Sequence, residues 1–291
     1  MSAPADWGPR QRLKNALIRG AVVALLAVAD RLPPRLLFAA CRSVGRLLPW
    51  LAPGLARSAR ERARRSLPEA EAQRVARECF VNAGTSLAVT LLLRRPGARA
   101  SSWVVIDDDA RRELRRAGGA VVVSAHLGPF ELVAPAVAEL GLSPAVVVRE
   151  SYDPALDSHV DAHRVAHGVA VIHRGRPGAA IRIVRALRSG QLVGVLPDLP
   201  TRVPSVSVEF LKQPHAMPAG PARLARAAGV PVLVCALEPL PGGRAFRLDV
   251  RRLADGDDCA TRMTQRVADA LSVAILRAPG WWLWMTAARA G

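Results

Sequence analysis

From about residue 103 onward, short aliphatic runs alternate with stretches that read as helix. The runs are WVVID, AVVVSA, PAVVV, VAVIH, LVGVLPD, VPVLVCAL and AFRLDV. The segments between them include ELVAPAVAELG, AAIRIVRALRSG and PARLARAAG. They carry apolar residues at helical spacing, and several close on glycine, a helix-stop signal. Strands alternating with helices of this length predict an α/β domain, with a mixed central sheet flanked by helices, over residues 96–291. Functional groups in such sheets gather at the carboxyl ends of the strands.

Residues 1–95 read differently, as a helical, membrane-associating segment. Residues 16–29, ALIRGAVVALLAVA, are apolar apart from a few positions such as Arg19. Fourteen helical residues span about 21 Å, short of a ~30 Å hydrocarbon core. A buried core helix would carry such a run too. Arg10, Arg12, Lys14 and Arg19 favour a monotopic or marginally spanning anchor on anionic lipid. No cleavage site precedes RLPPRLL, so no removable leader is expected. Pro33, Pro34, Pro49 and Pro53 should break the next stretch, with Trp50 as an interfacial anchor. An amphipathic helix should follow Pro68. Another should end near Pro279, leaving Trp281, Trp282 and Trp284 to pack the core or sit in an interfacial belt.

The net charge is +17, and of 41 basic side chains only Lys14 and Lys212 are lysines. Such a surface attracts polyanions: nucleic acid, anionic lipid or an acidic carrier protein. One Tyr, five Phe and no RNA motif argue against nucleic acid. Cys41, Cys79, Cys235 and Cys259 are widely spaced, which suggests neither a zinc site nor a disulfide framework. They read as reduced thiols of a cytosol-facing protein. His159, His163 and His167 recur every four residues near Asp157 and read as a solvated stripe, not a metal site.

The stretch GGAVVVSAHLGPFELVAPAV, residues 118–137, carries the chemistry. His126 stands where a buried strand ends, and Glu131 follows five residues later. Gly128 and Pro129 allow a turn that brings them together. A neutral imidazole can take a proton from a hydroxyl, and a carboxylate on its other nitrogen fixes the tautomer. Taken alone, such a pair is more often structural or a surface pair.

The surroundings of His126 favour chemistry. SAHLGPFEL resembles the H-x4-[DE] motif of the bacterial lipid A biosynthesis acyltransferases, the lauroyl/myristoyl transferase family. In order, VVVRESYDPALDSHVDAHR resembles the segment with that family's two arginines, at Arg149 and Arg164. IRIVRALRSGQLVGVLPDLP resembles its aspartate segment, at Asp198. SVEFLKQPHAMPAGPARLARAAGVPVLVCAL and APGWWLWMTAARAG resemble the closing segments. The likeness covers residues 103 to the end, and the family also implies a helical start.

The resemblance implies a glycerolipid-acyltransferase-like fold and an O-acyltransferase at the cytoplasmic face of the inner membrane. It implies transfer of a fatty acyl group from acyl carrier protein or acyl-CoA to a hydroxyl of a lipid A precursor-like glycolipid. His126 would be the general base and Glu131 would orient it. Arg149 and Arg164 would bind phosphate or a developing oxyanion, and Asp198 would lie on the substrate side or just behind. No cofactor and no metal are implied. The chain departs from the family pattern at Glu150, at Asp153, at Leu199-Pro200, in TRVPSVSV and at Thr286-Ala287. These positions leave open a glycerolipid, mannosylated lipid or amino-acid lipid as acceptor, or a membrane-bound scaffold without activity.

Overall fold

The computed structural model describes residues 9–150, 154–201, 203–253 and 259–286. Ten helices lie among them: α1 Pro9–Arg31, α2 Pro34–Leu51, α3 Pro53–Arg64, α4 Glu69–Leu93, α5 Asp108–Arg116, α6 Val133–Ala138, α7 Pro154–Ala166, α8 Ala179–Arg188, α9 Gly220–Ala228 and α10 Ala260–Arg277. The strands are β1 Val104–Val105, β2 Ala120–Val123, β3 Pro144–Val148, β4 Ala170–His173, β5 Leu192–Val195, β6 Ser205–Phe210, β7 Gln213–Pro218, β8 Val232–Pro239 and β9 Phe246–Arg252.

Seven strands form one sheet in the order β1-β9-β8-β2-β5-β3-β4. All neighbours are parallel except β8 and β9, so the sheet is mixed, as the alternating pattern predicts. The central strand β2 pairs with β5 in the register Val121↔Val193 and with β8 as Val121↔Val232. All four of its residues are buried. Helices cover both faces, which is why AVVV can be apolar without alternation. Val121 and Val123 point into a core shared with Ile183 and Leu187 of α8, Ala225 of α9 and Leu271 of α10. Val122 points to the opposite face, toward Leu114 of α5 and Val137 of α6.

The first core extends into the N-terminal helices: Ala59, Ala63, Val75 and Phe80 pack in it with Trp282 and Trp284. Helices α2 and α4 meet backbone to backbone. A Cβ on Gly45 would stand 2.4 Å from the Phe80 carbonyl oxygen, and one on Gly84 2.2 Å from that of Cys41. Glycine is the residue that admits this approach. Pro49 does not break the chain as expected. It sits in the last turn of α2, where it removes one hydrogen bond, to the Gly45 carbonyl, and the break comes at Ala52 before Pro53.

No helix among the described residues is long and apolar enough to cross a membrane. On α1 and α2, however, Leu25, Leu47, Trp50 and Leu51 are all more than half exposed.

The β6–β7 hairpin is not anticipated by the sequence reading, which has no strands there. Its turn residues Leu211 and Lys212 have φ of 52° and 62°, the primed geometry usually given to Asn-Gly. Tertiary bonds hold it. The Ser66 hydroxyl donates to the Leu211 carbonyl at 2.7 Å, and the Leu211 N–H donates to the Ser272 hydroxyl at 3.0 Å.

Candidate active site

Strand β2 ends where the Ser124 N–H donates to the Val195 carbonyl of β5. The chain then turns sharply. Gly128 takes φ +60° and donates its N–H to the Trp281 carbonyl at 3.0 Å. His126 lies within this turn at the carboxyl edge of the sheet. Asp198 leaves the neighbouring strand β5 at the same edge.

Asp198 is fully buried. Its Oδ1 lies 2.9 Å from His126 Nδ1. Its Oδ2 accepts the His126 backbone N–H at 2.9 Å and the Trp282 indole N–H at 2.8 Å. Three donors therefore satisfy a carboxylate that burial would otherwise penalise. A carboxylate only accepts, so Nδ1 carries the proton and Nε2 keeps its lone pair. The His126 side chain is 24% exposed while its carboxylate partner is sealed, so the exposed part is the edge away from Asp198. Phe130 meets the ring edge to face at 4.7 Å between centroids.

The orienting carboxylate expected at Glu131 is therefore Asp198. Glu131 lies in the single 3-10 turn Phe130–Leu132, which carries it to α7. There Arg164 holds it by two hydrogen bonds, of 2.8 and 3.3 Å. Asp161 lies 3.5 Å from the same guanidinium and 2.7 Å from His173 Nε2. Asp198, expected on the substrate side or just behind, lies behind the imidazole. Arg164 is only 16% exposed and its charge is matched, so it is not free for a phosphate. The sequence reading did not single out Arg62, whose guanidinium stacks over the Trp282 ring at 4.9 Å. It also bonds the Thr286 hydroxyl at 2.9 Å. Burial lowers its pKa, and the nearby Asp198 charge acts in the opposite direction.

A family model described as bacterial lipid A biosynthesis acyltransferase matches residues 9–287. The chain belongs to that family. A comparison with curated proteins found no match to it. The protein is thus an acyltransferase of the lipid A type, a class that requires an acyl donor and a lipid acceptor.

Two further features of this acyltransferase lie near His126. A narrow apolar slot of about 50 Å³ runs between α6 and strands β2, β3 and β5, lined by Phe130, Val133, Val137 and Val146 among others. Beyond the carboxyl end of β3, Arg149 is exposed, with no hydrogen bond or ion pair among the described residues. Its charge helps to lower the pKa of Arg174, after desolvation, so two cations stand close together there.

Two of the three histidines on α7 do not belong to a solvated stripe. His167 Nε2 donates to the Leu93 carbonyl at the end of α4, 3.0 Å away, and His163 meets His167 at 4.7 Å between ring centroids. The contact of α7 with the end of α4 leaves these two part-buried, while His159 is exposed. Among the described residues no group of three His, Cys, Asp or Glu side chains is placed to hold a metal. Trp282 and Trp284 lie in the core, each 1% exposed. Asp153 and Ala287 lie outside the described residues.

Proposed function

We propose that this acyltransferase moves a fatty acyl group from an acyl carrier protein or acyl-CoA thioester to a hydroxyl of a membrane glycolipid of the lipid A precursor kind, with His126 as general base. The reading rests on the proton arrangement at His126, where Asp198 fixes the proton on Nδ1 and leaves Nε2 basic at the exposed edge. Nε2 takes the acceptor's hydroxyl proton as the oxygen attacks the thioester carbonyl. The tetrahedral intermediate then collapses, the C–S bond breaks, and the imidazolium returns its proton to the leaving thiolate. The buried Asp198 carboxylate stabilises the imidazolium between these steps. No acyl-enzyme forms in this scheme, because the acceptor hydroxyl stands where a hydrolase would place its serine.

The slot beside Phe130 would take the acyl chain. At about 50 Å³ it is tight, so α6 must give way as the chain enters. Arg149 and Arg174 would hold a phosphate of donor or acceptor, for which guanidinium forks are well shaped. Glu131 serves in this reading by fixing Arg164 and α7 rather than by touching His126. The exposed apolar residues of α1 and α2, with Trp50 among them, would rest on the cytoplasmic leaflet of the inner membrane, as Arg31, Arg35 and Arg46 face lipid phosphates.

His126→Ala tests the chemistry. Parent and variant are compared for thioester-dependent acylation of a membrane extract, with circular dichroism to check the fold. A variant as active as the parent refutes the general-base role. Trp50→Asp with Leu51→Asp tests the docking face by co-sedimentation with phosphatidylglycerol vesicles, which should fall.

A further inference from the structure

Helices α8 and α9 lie side by side over one face of the sheet, and an open groove of about 580 Å³ runs between them. Ile181, Val184 and Leu224 form its floor, with Arg185, Arg188 and Arg223 along its banks. Ile181 is 66% exposed, unusual for an aliphatic side chain on a helix whose opposite stripe, Ile183 and Leu187, is fully used in the core. The charge is one-sided. Arg182, Arg185 and Arg188 recur at three-residue spacing on α8, and Arg223 and Arg226 do so on α9, while neither helix contains an acidic residue. Arg188 donates to the Ala227 carbonyl at 2.8 Å, which ties the two banks together. Arg185 and Arg223 have no hydrogen bond or ion pair among the described residues.

An apolar trough between two arginine banks matches one kind of partner, a short amphipathic helix with an apolar stripe and acidic flanks. A bilayer is a poorer fit, because its surface meets convex apolar ridges such as those of α1 and α2, not a trough between helices. Nucleic acid would leave the apolar floor unmatched.

Position narrows the partner further. Helix α8 is the crossover from β4 to the parallel strand β5, so it runs back from the carboxyl edge of the sheet. Its Ile181 end is therefore at the edge that holds His126. Arg149 directly follows β3, and Arg174 directly follows β4 and leads into α8, so these two cations, without a side-chain partner among the described residues, stand at the same carboxyl edge of the sheet as His126. A partner seated in the groove thus meets an edge that offers both cations for a phosphate-bearing arm and the imidazole of His126. We propose that the α8–α9 groove docks an acidic helix of the acyl carrier protein that delivers the acyl thioester. The proposal rests on the thioester-transfer reading above, selects the carrier protein from its two donors and adds the surface that docks it.

The test uses the full chain, with Arg185→Glu/Arg223→Glu as one variant and Ile181→Asp as a second. Affinity for fluorescently labelled palmitoyl acyl carrier protein is measured by anisotropy. Acyl transfer is measured with that carrier and with palmitoyl-pantetheine, which has the thioester but no protein. In each variant the carrier's Kd should rise at least about tenfold, and kcat/KM should fall far more with the carrier than with palmitoyl-pantetheine. Equal loss with both donors, or an unchanged carrier Kd in both variants, overturns the proposal. So does a parent that binds no carrier, although transfer from acyl-CoA would then still stand. Loss of binding to phosphatidylglycerol vesicles in the arginine variant, with carrier affinity intact, also overturns it and assigns the groove to the membrane. A parent that binds the carrier through the groove but transfers no acyl group keeps the docking proposal and refutes the catalytic one.

Discussion

Asp198 holds His126 at two points: Oδ1 lies 2.9 Å from the ring Nδ1 and Oδ2 2.9 Å from the backbone nitrogen of the same residue. The two residues come from adjacent strands and are 72 positions apart. The double contact fixes both the ring's proton and the turn that carries it. Asp198→Asn should therefore harm more than charge. The amide offers one acceptor oxygen to three donors, and its own N–H₂ would face another N–H. We expect a stability loss of about 1–3 kcal/mol from the buried unmatched donors. We also expect acyl transfer to fall about 10²- to 10⁴-fold, because the imidazole loses its preferred tautomer. Thermal melts beside steady-state rates at a temperature where the variant is folded separate the two effects.

The same geometry gives Glu131 a different expected behaviour. Its bidentate bond to Arg164 joins the turn after β2 to α7. Glu131→Gln should cost about 1–3 kcal/mol of stability, because a mostly buried guanidinium loses the closer of its two charged partners. Combined with Arg164→Met, the loss should be less than additive, with a coupling of about 0.5–3 kcal/mol in a double-mutant cycle of chemical denaturation. Additive losses would show that the pair is not coupled. If instead Glu131 steadied the imidazole directly, Glu131→Gln and Asp198→Asn would shift the pH–rate profile alike. We expect the Asp198 variant alone to change it.

Much of this was legible in the chain. The runs AVVV, PAVVV, AVIH and LVGV became β2 to β5, and the central run AVVV is continuous because a strand buried on both faces needs aliphatic residues throughout. His126 could be singled out because it stands at such a run's end. Its partner could not. Sequence proximity favours a carboxylate five residues away, whereas strand adjacency, set by the β2–β5 pairing, brings Asp198 from 72 residues away. The β6–β7 hairpin was hidden for another reason. Its turn has no glycine, Pro204, Pro214 and Pro218 interrupt the run, and the bonds that hold Leu211 come from Ser66 and Ser272, far away in the chain. The role of Trp282 was half legible: a tryptophan cluster predicts either core or interface, and only the Asp198 contact assigns it to the site's support.

Gly84 is where α4 meets α2 most closely. Ala is the better helix former by about 1 kcal/mol, which by itself would make Gly84→Ala stabilising. The added Cβ would stand 2.2 Å from the Cys41 carbonyl oxygen, a backbone atom that no rotamer change can move. Forcing α2 away should cost about 1–3 kcal/mol, so a net loss is expected. A lowered denaturation midpoint with little change in m would confirm it. A stabilised variant would mean that α2 and α4 do not cross this closely.

His163 links stability to pH. Burial, then the neighbouring His167 and Arg94, lower its pKa from the ordinary 6.5 to about 4, against the weaker pull of Glu131. Between those values the unfolded chain takes up a proton that the folded chain refuses. Unfolding is then favoured as acid is added, so this residue's contribution is complete above about pH 6.5 and is lost as pH falls toward 4. His163→Gln removes the titration while keeping a polar side chain of similar reach. The gap in stability between parent and variant should therefore move in the variant's favour as pH is lowered from 7 to 4.5, read by urea denaturation at each pH. A gap that stays constant across that range would show that His163 titrates normally and that α7 does not pack against α4 as described.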